Sequence, residues 1–287
     1  MYSIKQRTNA YWRLTRLNQP IGTWLLLWPT LWALWLSSNS GPTYSILLIF
    51  ITGVILMRSA GCVINDIVDM KYDGLVERTK NRPLVTGELS RFEAFLVFVF
   101  LIFLSACLVL YLNTLTIKLS LLAVLLASTY PFTKRFLALP QAYLGIAFGF
   151  GIPMAYAANN NYVPFEAIIV FIGNVLWVIA YDTEYAMVDR EDDKLIGIKT
   201  SALLFQTKDV LMVIIFHCLF LLCMIWVGLL KQFGFVFFSF LIAASLLVSY
   251  QYFLIRDRDR QKCFRAFKHN TWVGGAVFFG IFFENIF

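Results

Sequence analysis

The chain has 287 residues, of which 60% are hydrophobic and only 14% are charged. Soluble domains carry about 25% charged residues, so this composition excludes an ordinary soluble protein and predicts a polytopic membrane protein. The net charge of +7 does not indicate nucleic-acid binding, because the basic residues lie in short loops between apolar segments, as the positive-inside rule describes.

Nine apolar segments are predicted along the chain, each a candidate for a helix that crosses a bilayer. A polar, basic stretch precedes the first segment and shows no small-residue cleavage site, so we expect this segment to be a spanning helix rather than a signal peptide. The segments run over residues 21–37, 44–64, 92–112, 117–133, 140–157, 164–183, 209–230, 233–254 and 269–287.

The positive charges are distributed unevenly among the loops. All 24 Lys and Arg residues except Arg58, Lys118 and Lys231 lie in the N-terminal stretch or in the loops after the second, fourth, sixth and eighth segments. This asymmetry places the N-terminus and those loops in the cytoplasm and the C-terminus outside. We therefore expect an all-α, polytopic bundle of nine transmembrane helices that forms one domain over residues 1–287.

A first acidic cluster lies where the second segment reaches the cytoplasmic face. Asn65, Asp69 and Asp73 are spaced i, i+4, i+8, so they share one face of a helix. Aligned carboxylates at the negative end of a helix dipole need a compensating cation, and hard oxygen ligands suit Mg²⁺. The alternative is an ordinary solvated loop with scattered acids. Arg58, seven residues before Asn65 inside the membrane, favours a functional site, as does the basic turn that begins at Arg78.

A second cluster repeats this spacing at the end of the sixth segment. Tyr185, Asp189 and Asp193 are again i, i+4, i+8, and Asp182 lies on the same face. Two opposed carboxylate faces can hold two Mg²⁺ ions with a diphosphate bridging them. The matched pair is more specific than either cluster alone.

Each of the other basic residues near the two acidic clusters has two possible roles. Lys134 and Arg16 are candidates to bind a diphosphate, or they are anchors on the positive side of the membrane. The charged run of residues 256–260 is expected to be a solvated surface, with gating as the lesser alternative. A transporter is a rival from another class, but the acids cluster at one face instead of the bilayer midplane where transport sites lie.

The two clusters resemble the motifs of the UbiA superfamily of intramembrane prenyltransferases. The first motif, NDxxDxxxD, is found at residues 65–73 and is followed by RTxxRP at 78–83. The second, DxxYxxxDxxxD, is found at residues 182–193, and the surrounding YDTEYAMVDREDD is most similar to the hydroxybenzoate branch. The resemblance covers essentially the whole chain. Thr200-Ser201 stands where that branch has Ser-Thr, an exchange that keeps both hydroxyls.

The resemblance implies a nine-helix bundle with its active site toward the cytoplasm, and it implies roles for the residues above. The residues that would hold Mg²⁺ and diphosphate are Asn65, Asp69, Asp73, Asp189 and Asp193. The residues that would contact the diphosphate are Arg78, Lys134 and Arg16, with Tyr185 beside them. Arg58 would pair with the carboxylate of an aromatic acceptor, and Asp182 or a neighbour would take the ring proton.

The activity implied by the resemblance is transfer of a polyprenyl group from polyprenyl diphosphate to the ring carbon ortho to the hydroxyl of 4-hydroxybenzoate. Diphosphate would be released, and the step would belong to ubiquinone biosynthesis in a bacterial inner membrane. The expected partners are these two substrates and membrane lipids, without nucleic acid or an obligate protein partner. A sister enzyme that uses a naphthoate, homogentisate or a haem is the second reading, and a transporter is the third.

Overall fold

The structure of the protein is a computed structural model that describes residues 4–38 and 40–286. Within these ranges the chain forms α-helices, a short 3₁₀ turn and loops, and it contains no strand. The all-helical, polytopic architecture predicted from the sequence is confirmed. The helices are α1 (Ile4–Leu14), α2 (Ile21–Leu36), α3 (Tyr44–Asp73), α4 (Arg91–Val109), α5 (Thr114–Thr133), α6 (Pro140–Gly149), α7 (Gly151–Asn160), α8 (Phe165–Val188), α9 (Arg190–Ile196), α10 (Ser201–Phe205), α11 (Asp209–Leu230), α12 (Phe235–Ile255) and α13 (Arg260–Glu284).

The nine predicted apolar segments each coincide with one helix, or in one case with the pair α6 and α7. In the part of the chain that the structure describes, six helical stretches are long and apolar enough to cross a membrane: α3, α4, α5, α8, the stretch Ser201–Leu230 and α12. Helix α2 has only 16 residues, and α13 begins with basic residues. The count of nine spans therefore stays a prediction.

The two acidic clusters end their helices differently. Helix α3 continues through the whole first cluster to Asp73, so its spacing does place Asn65, Asp69 and Asp73 on one helical face. Helix α8 stops at Val188, and Asp189 leaves helical geometry with φ −100° and ψ 8° before α9 begins. The expectation of one unbroken face for the second cluster is wrong, since the crowded carboxylates at the negative end of α8 disfavour its continuation.

An aromatic core fixes the position of α8. Trp32 in α2, Trp177 in α8 and Phe220 in α11 pack with their ring centroids 5.2 to 5.7 Å apart. The Trp32 indole N–H also donates to the carbonyl of Gly274 in α13 at 3.0 Å. Buried aromatic pairs add about 0.5–1.5 kcal/mol beyond the area they bury. Because four helices meet in this cluster, the C-terminal end of α8 is held in place for the site that it carries.

Helices α4 and α5 lie at the periphery of the bundle. Only 6% of the apolar stretch of α4 and 11% of that of α5 are buried inside the protein. Their outward side chains, among them Phe103 and Leu125, are large, apolar and exposed. An exposed apolar surface of this extent indicates contact with lipid, as predicted.

Candidate active site

A small polar chamber of about 100 Å³ lies where the C-terminal ends of α3, α5 and α8 meet. Nine of the eleven residues predicted for the site line it: Asn65, Asp69, Asp73, Arg78, Lys134, Asp182, Tyr185, Asp189 and Asp193. The structure thus brings both acidic clusters to one space, although they are more than a hundred residues apart in sequence. The other two predicted residues, Arg16 and Arg58, line a larger cavity that adjoins the chamber.

The carboxylates of the first cluster are paired with basic side chains. Asp69 lies 3.4 Å from the Lys134 ammonium, and Asp73 accepts from the Arg82 guanidinium at 2.6 Å. Both acids are only 7% exposed, and a buried carboxylate is stable as an anion only with a partner. The Lys134 ammonium and the Arg82 guanidinium therefore balance the negative charge of the first cluster.

The second cluster is compensated only in part. Arg78 donates to the Asp189 carboxylate from Nε at 3.0 Å and from a terminal nitrogen at 2.6 Å, and its guanidinium lies 4.5 Å from the Tyr185 ring centroid. Asp193, by contrast, forms no ion pair with any residue that the structure describes. Burial first, and the nearby Asp189 second, raise the pKa of Asp193 to about 7. Negative charge is least well balanced at Asp193.

The donor set of the chamber fits a divalent cation. Its acids offer the hard carboxylate oxygens that Mg²⁺ prefers, and Mg²⁺ commonly takes one or two carboxylates together with substrate phosphates. Within the described ranges no group of three or more His, Cys, Asp or Glu residues converges on one point, because the carboxylates turn toward Arg78, Arg82 and Lys134. Two kinds of acid fit the role. Asp193 has no basic partner to give up, and at Asp69, Asp73 and Asp189 a cation joined by phosphate oxygens would replace the basic partner.

The adjoining large cavity has a volume of about 1220 Å³. Drug-sized ligands occupy pockets of about 300–1,000 Å³, so this space exceeds what a small molecule needs. Its deeper wall is apolar and comes mainly from α3, α4 and α5, with Ile102, Val109, Leu121 and Val124 among the lining residues. The shape and chemistry suit a long hydrocarbon chain. Seven of the residues that the structure describes line both spaces and mark the junction: Asn65, Arg78, Arg82, Tyr130, Lys134, Asp182 and Tyr185.

Arg58 projects into the large cavity without an anionic partner. Its guanidinium lies 5.7 Å from the Phe148 ring centroid and packs against Gly22, where a Cβ would come within 2.6 Å of the guanidinium carbon. Arg58 forms no ion pair or hydrogen bond with the described residues. An unpaired guanidinium in a largely apolar cavity is costly, and a carboxylate ligand would compensate it with two parallel hydrogen bonds.

Several residues of the site were missed by sequence reasoning. Asp66 is 1% exposed and binds Arg16 at 2.8 Å and Arg82 at 3.0 Å, so Arg16 contacts the first motif directly. The signal was available, because Asp66 and Asp73 are seven residues apart and thus share a helical face. Gln141 lines the chamber together with Asp182 and accepts from the Ser201 N–H at 3.0 Å. It carried no such signal, since these residues are all distant from it in sequence.

Comparison with known proteins decides the family. A sequence model of the UbiA prenyltransferase family matches residues 26–275, a range that includes both acidic clusters. The chain belongs to the UbiA prenyltransferase family. The resemblance inferred from the two motifs is confirmed. A curated UbiA relative, the 4-hydroxybenzoate octaprenyltransferase of Methylobacillus flagellatus, is 54% identical over 285 residues, which cover 99% of this chain and 96% of the relative.

Solved structures of UbiA proteins share the fold. The apo UbiA homologue from Aeropyrum pernix K1 superposes with a TM-score of 0.79 at 24% identity, covering 91% of this chain and 97% of that one. A homologue from Archaeoglobus fulgidus, solved with GPP and Mg²⁺, gives a TM-score of 0.73 at 17% identity and covers 97% and 100% of the two chains. The UbiA architecture is thus common to proteins of low sequence identity, one of which binds a prenyl diphosphate together with a divalent metal.

Proposed function

We propose that the protein transfers a polyprenyl group from polyprenyl diphosphate to the ring carbon ortho to the hydroxyl of 4-hydroxybenzoate and releases diphosphate. The observation that carries this proposal is the junction of two spaces: an acid- and base-rich chamber opens into an apolar cavity that holds the unpaired Arg58. A relative that is 54% identical along nearly the whole chain and bears the corresponding name supports the same activity.

The polar chamber would bind the diphosphate end of the donor. Asn65, Asp69, Asp73, Asp189 and Asp193 would hold Mg²⁺ there. The bound cation supplies neutralisation of the charge that develops on the leaving diphosphate. With a cation on these acids, their present partners would be free to donate to phosphate oxygens. Those partners are Arg78, Arg82 and Lys134, and the Asp66 carboxylate orients Arg82 and Arg16 for the same task.

The large cavity would hold the isoprenoid chain and the acceptor. Its apolar walls exclude water from the allylic cation that forms when the C–O bond to diphosphate breaks. The rings of Tyr130 and Tyr185 at the junction can stabilise that cation by cation–π contact. Arg58 would hold the acceptor carboxylate in a bidentate pair, which fixes the orientation of the ring relative to the junction.

Carbon–carbon bond formation then needs a proton acceptor. The ring carbon ortho to the hydroxyl attacks the allylic carbon, and loss of the ring proton restores aromaticity. Asp182 lines both spaces at the junction, so its carboxylate is our candidate for the base, with a neighbouring carboxylate as the alternative. The Gln141 side chain lines the chamber beside Asp182.

We also propose that the chamber faces the cytoplasm of a bacterial inner membrane. The loops beside it carry most of the Lys and Arg residues of the chain, and such loops remain inside. The N-terminus, which contributes Arg16 to the site, is then cytoplasmic as well, and the whole chain acts as a single domain. A cysteine-accessibility measurement on α1 and on the loop between α11 and α12 tests this orientation.

The proposed activity is tested with purified protein in detergent and one radiolabelled prenyl diphosphate. Prenylation of 4-hydroxybenzoate that requires Mg²⁺ and stops with EDTA is expected, with much lower rates for a naphthoate, homogentisate and haem. Preference for one of those acceptors would instead identify the protein as a sister prenyltransferase that uses that acceptor. Solute uptake into protein-only liposomes, without any prenyl transfer in detergent, would instead favour the transporter.

A further inference from the structure

The second acidic cluster stands at a break in the helix that carries it. Asp189 lies between α8 and α9 and has non-helical dihedral angles. The Asp193 N–H donates to the Asp189 carbonyl at 2.8 Å, which ties Asp189 to the first turn of α9. A carboxylate at such a break is not oriented by an unbroken hydrogen-bond ladder, so its position depends on contacts from outside the helix.

Arg260 supplies such contacts from the start of α13. Its Nε donates to the carbonyl of Val188, the last residue of α8, at 2.6 Å, and a terminal nitrogen donates to Asp192 in α9 at 2.7 Å. The same nitrogen lies 4.0 Å from the Asp189 carboxylate. One guanidinium therefore joins the two sides of the break. Arg260 does not line the chamber or the large cavity, so it is placed to act through Asp189 and not on a substrate.

A second brace fixes the segments next to these contacts. Asp209 at the start of α11 is fully buried and pairs with Arg190, the residue after Asp189, and with Arg258 at 2.8 Å. Arg258 also donates to the carbonyl of Thr207 at 2.7 Å. Removing one partner from a buried ion pair is strongly destabilising, so this brace determines where the loop before α13 lies.

The charged run of residues 256–260 thus divides into two parts. Arg256 and Asp257 are more than half exposed and lie 3.8 Å apart, which is a weak surface pair. Arg258 and Arg260 make the specific contacts described above. All five residues of the run are solvent-exposed, as expected. Arg258 and Arg260 differ from the rest because they also contact the buried Asp209 and the end of α8.

We infer that Arg260, held in place by the Arg258–Asp209 pair, positions the Asp189 carboxylate and thereby strengthens divalent-cation binding in the chamber. The inference rests on the proposed function, in which Asp189 is a ligand. Groups that orient metal ligands are worth about 10- to 100-fold in metal affinity. A direct electrostatic role would act in the opposite direction, because removal of a positive charge near the site favours a cation.

The test is Mn²⁺ binding to the purified full-length protein in detergent with inorganic diphosphate present, followed by electron paramagnetic resonance. Arg260→Ala is expected to weaken Mn²⁺ binding by about tenfold or more. Arg256→Ala is the matched control, since it removes an arginine of the same run with only a surface partner, and its affinity is expected to stay within about twofold of wild type. In turnover assays Arg260→Ala should raise the Mg²⁺ concentration for half-maximal rate and leave the KM for the acceptor unchanged.

Unchanged or tighter Mn²⁺ binding by Arg260→Ala would overturn the inference. Where that variant does not fold, Arg260→Lys decides, because it keeps the charge but cannot make all of the guanidinium contacts, and wild-type affinity in that variant would equally overturn it. Asp189→Asn separates this question from the proposed function: a wild-type Mn²⁺ signal that survives Asp189→Asn contradicts the metal site itself, whereas loss in Asp189→Asn with no change in Arg260→Ala contradicts only the role of Arg260.

Discussion

The polar chamber and the large cavity differ in how their buried charges are balanced. In the chamber three of the acids, Asp69, Asp73 and Asp189, already have basic partners from the protein. In the cavity Arg58 has none among the described residues. Where acids and bases are already paired, the acids can bind a cation and the bases a phosphate group instead, and the net charge of the space changes little. A space with an unpaired guanidinium favours an anionic ligand. The two regions therefore predict different consequences when their charges are removed.

The largest effect is expected from Asp189→Asn in the chamber. Neutralising this residue removes a metal ligand and leaves Arg78 without its partner. Because charge neutralisation by a metal is worth several kcal/mol, we expect turnover to fall at least about 100-fold. Asp69→Asn should behave alike. The measurement is radiolabelled prenyl transfer at equal amounts of membrane-inserted protein.

Glu191→Gln is the control for this loss, because Glu191 is an exposed acid in the same run and is expected to keep wild-type turnover. Normal turnover by Asp189→Asn would contradict the proposed difference between the two spaces, because the chamber acids would then serve only the stability of the protein.

The next effect tests the pairing of charges at the edge of the large cavity, where Asp66, Arg16 and Arg82 line its wall. Asp66→Asn leaves Arg16 and Arg82 without the carboxylate that they share. Both guanidinium groups keep some contact with water, so we expect a loss of about 2–3 kcal/mol, below the full cost of breaking a buried pair. The measurement is the Tm of the purified protein in detergent, which should fall by several degrees. Asp257→Asn, at an exposed acid, should leave the Tm unchanged, and an equal fall in both variants would contradict the pairing.

Arg58→Ala tests the cavity and should affect one substrate only. Loss of a charge-assisted hydrogen-bonding pair with the acceptor carboxylate is expected to raise the KM for 4-hydroxybenzoate by at least about tenfold. The KM for the prenyl diphosphate should stay unchanged, because Arg58 does not line the polar chamber. An equal rise in both constants, or none, would show that the two spaces are not specialised as proposed.

The smallest effect concerns Gly22, against which the Arg58 guanidinium packs. A Cβ at Gly22 would overlap that guanidinium, so Gly22→Ala should displace Arg58 and raise the KM for the acceptor about three- to tenfold, which is less than removal of Arg58 costs. Gly53→Ala is the matched control, since Gly53 lines the same cavity and its Cβ would meet no atom within 4 Å. Identical KM values for the two variants would argue against the packing role of Gly22.

The sequence predicted what depends on local periodicity and composition. Apolar runs located the helices, and the i, i+4, i+8 spacing identified Asp69, Asp73 and Asp189 as residues of one site. It could not predict the break at Asp189 or the contacts of Arg260 and Arg258. Those contacts join residues about 50 to 70 positions apart, and their geometry follows from how α8, α11 and α13 pack. A charge run looks the same in sequence whether it is solvated or anchored.

The distances along the chain between paired residues have a consequence for synthesis. Arg82 reaches Asp73 across nine residues, whereas Arg78 reaches Asp189 across 111. Chains fold from the N-terminus as they are made, so the first ion pair can close as soon as α3 and its loop have emerged. The second must wait until α8 is inserted, and Arg260 arrives later still. The ion pairs of the chamber can therefore form only in stages, and Arg78 cannot pair with Asp189 until α8 has been made.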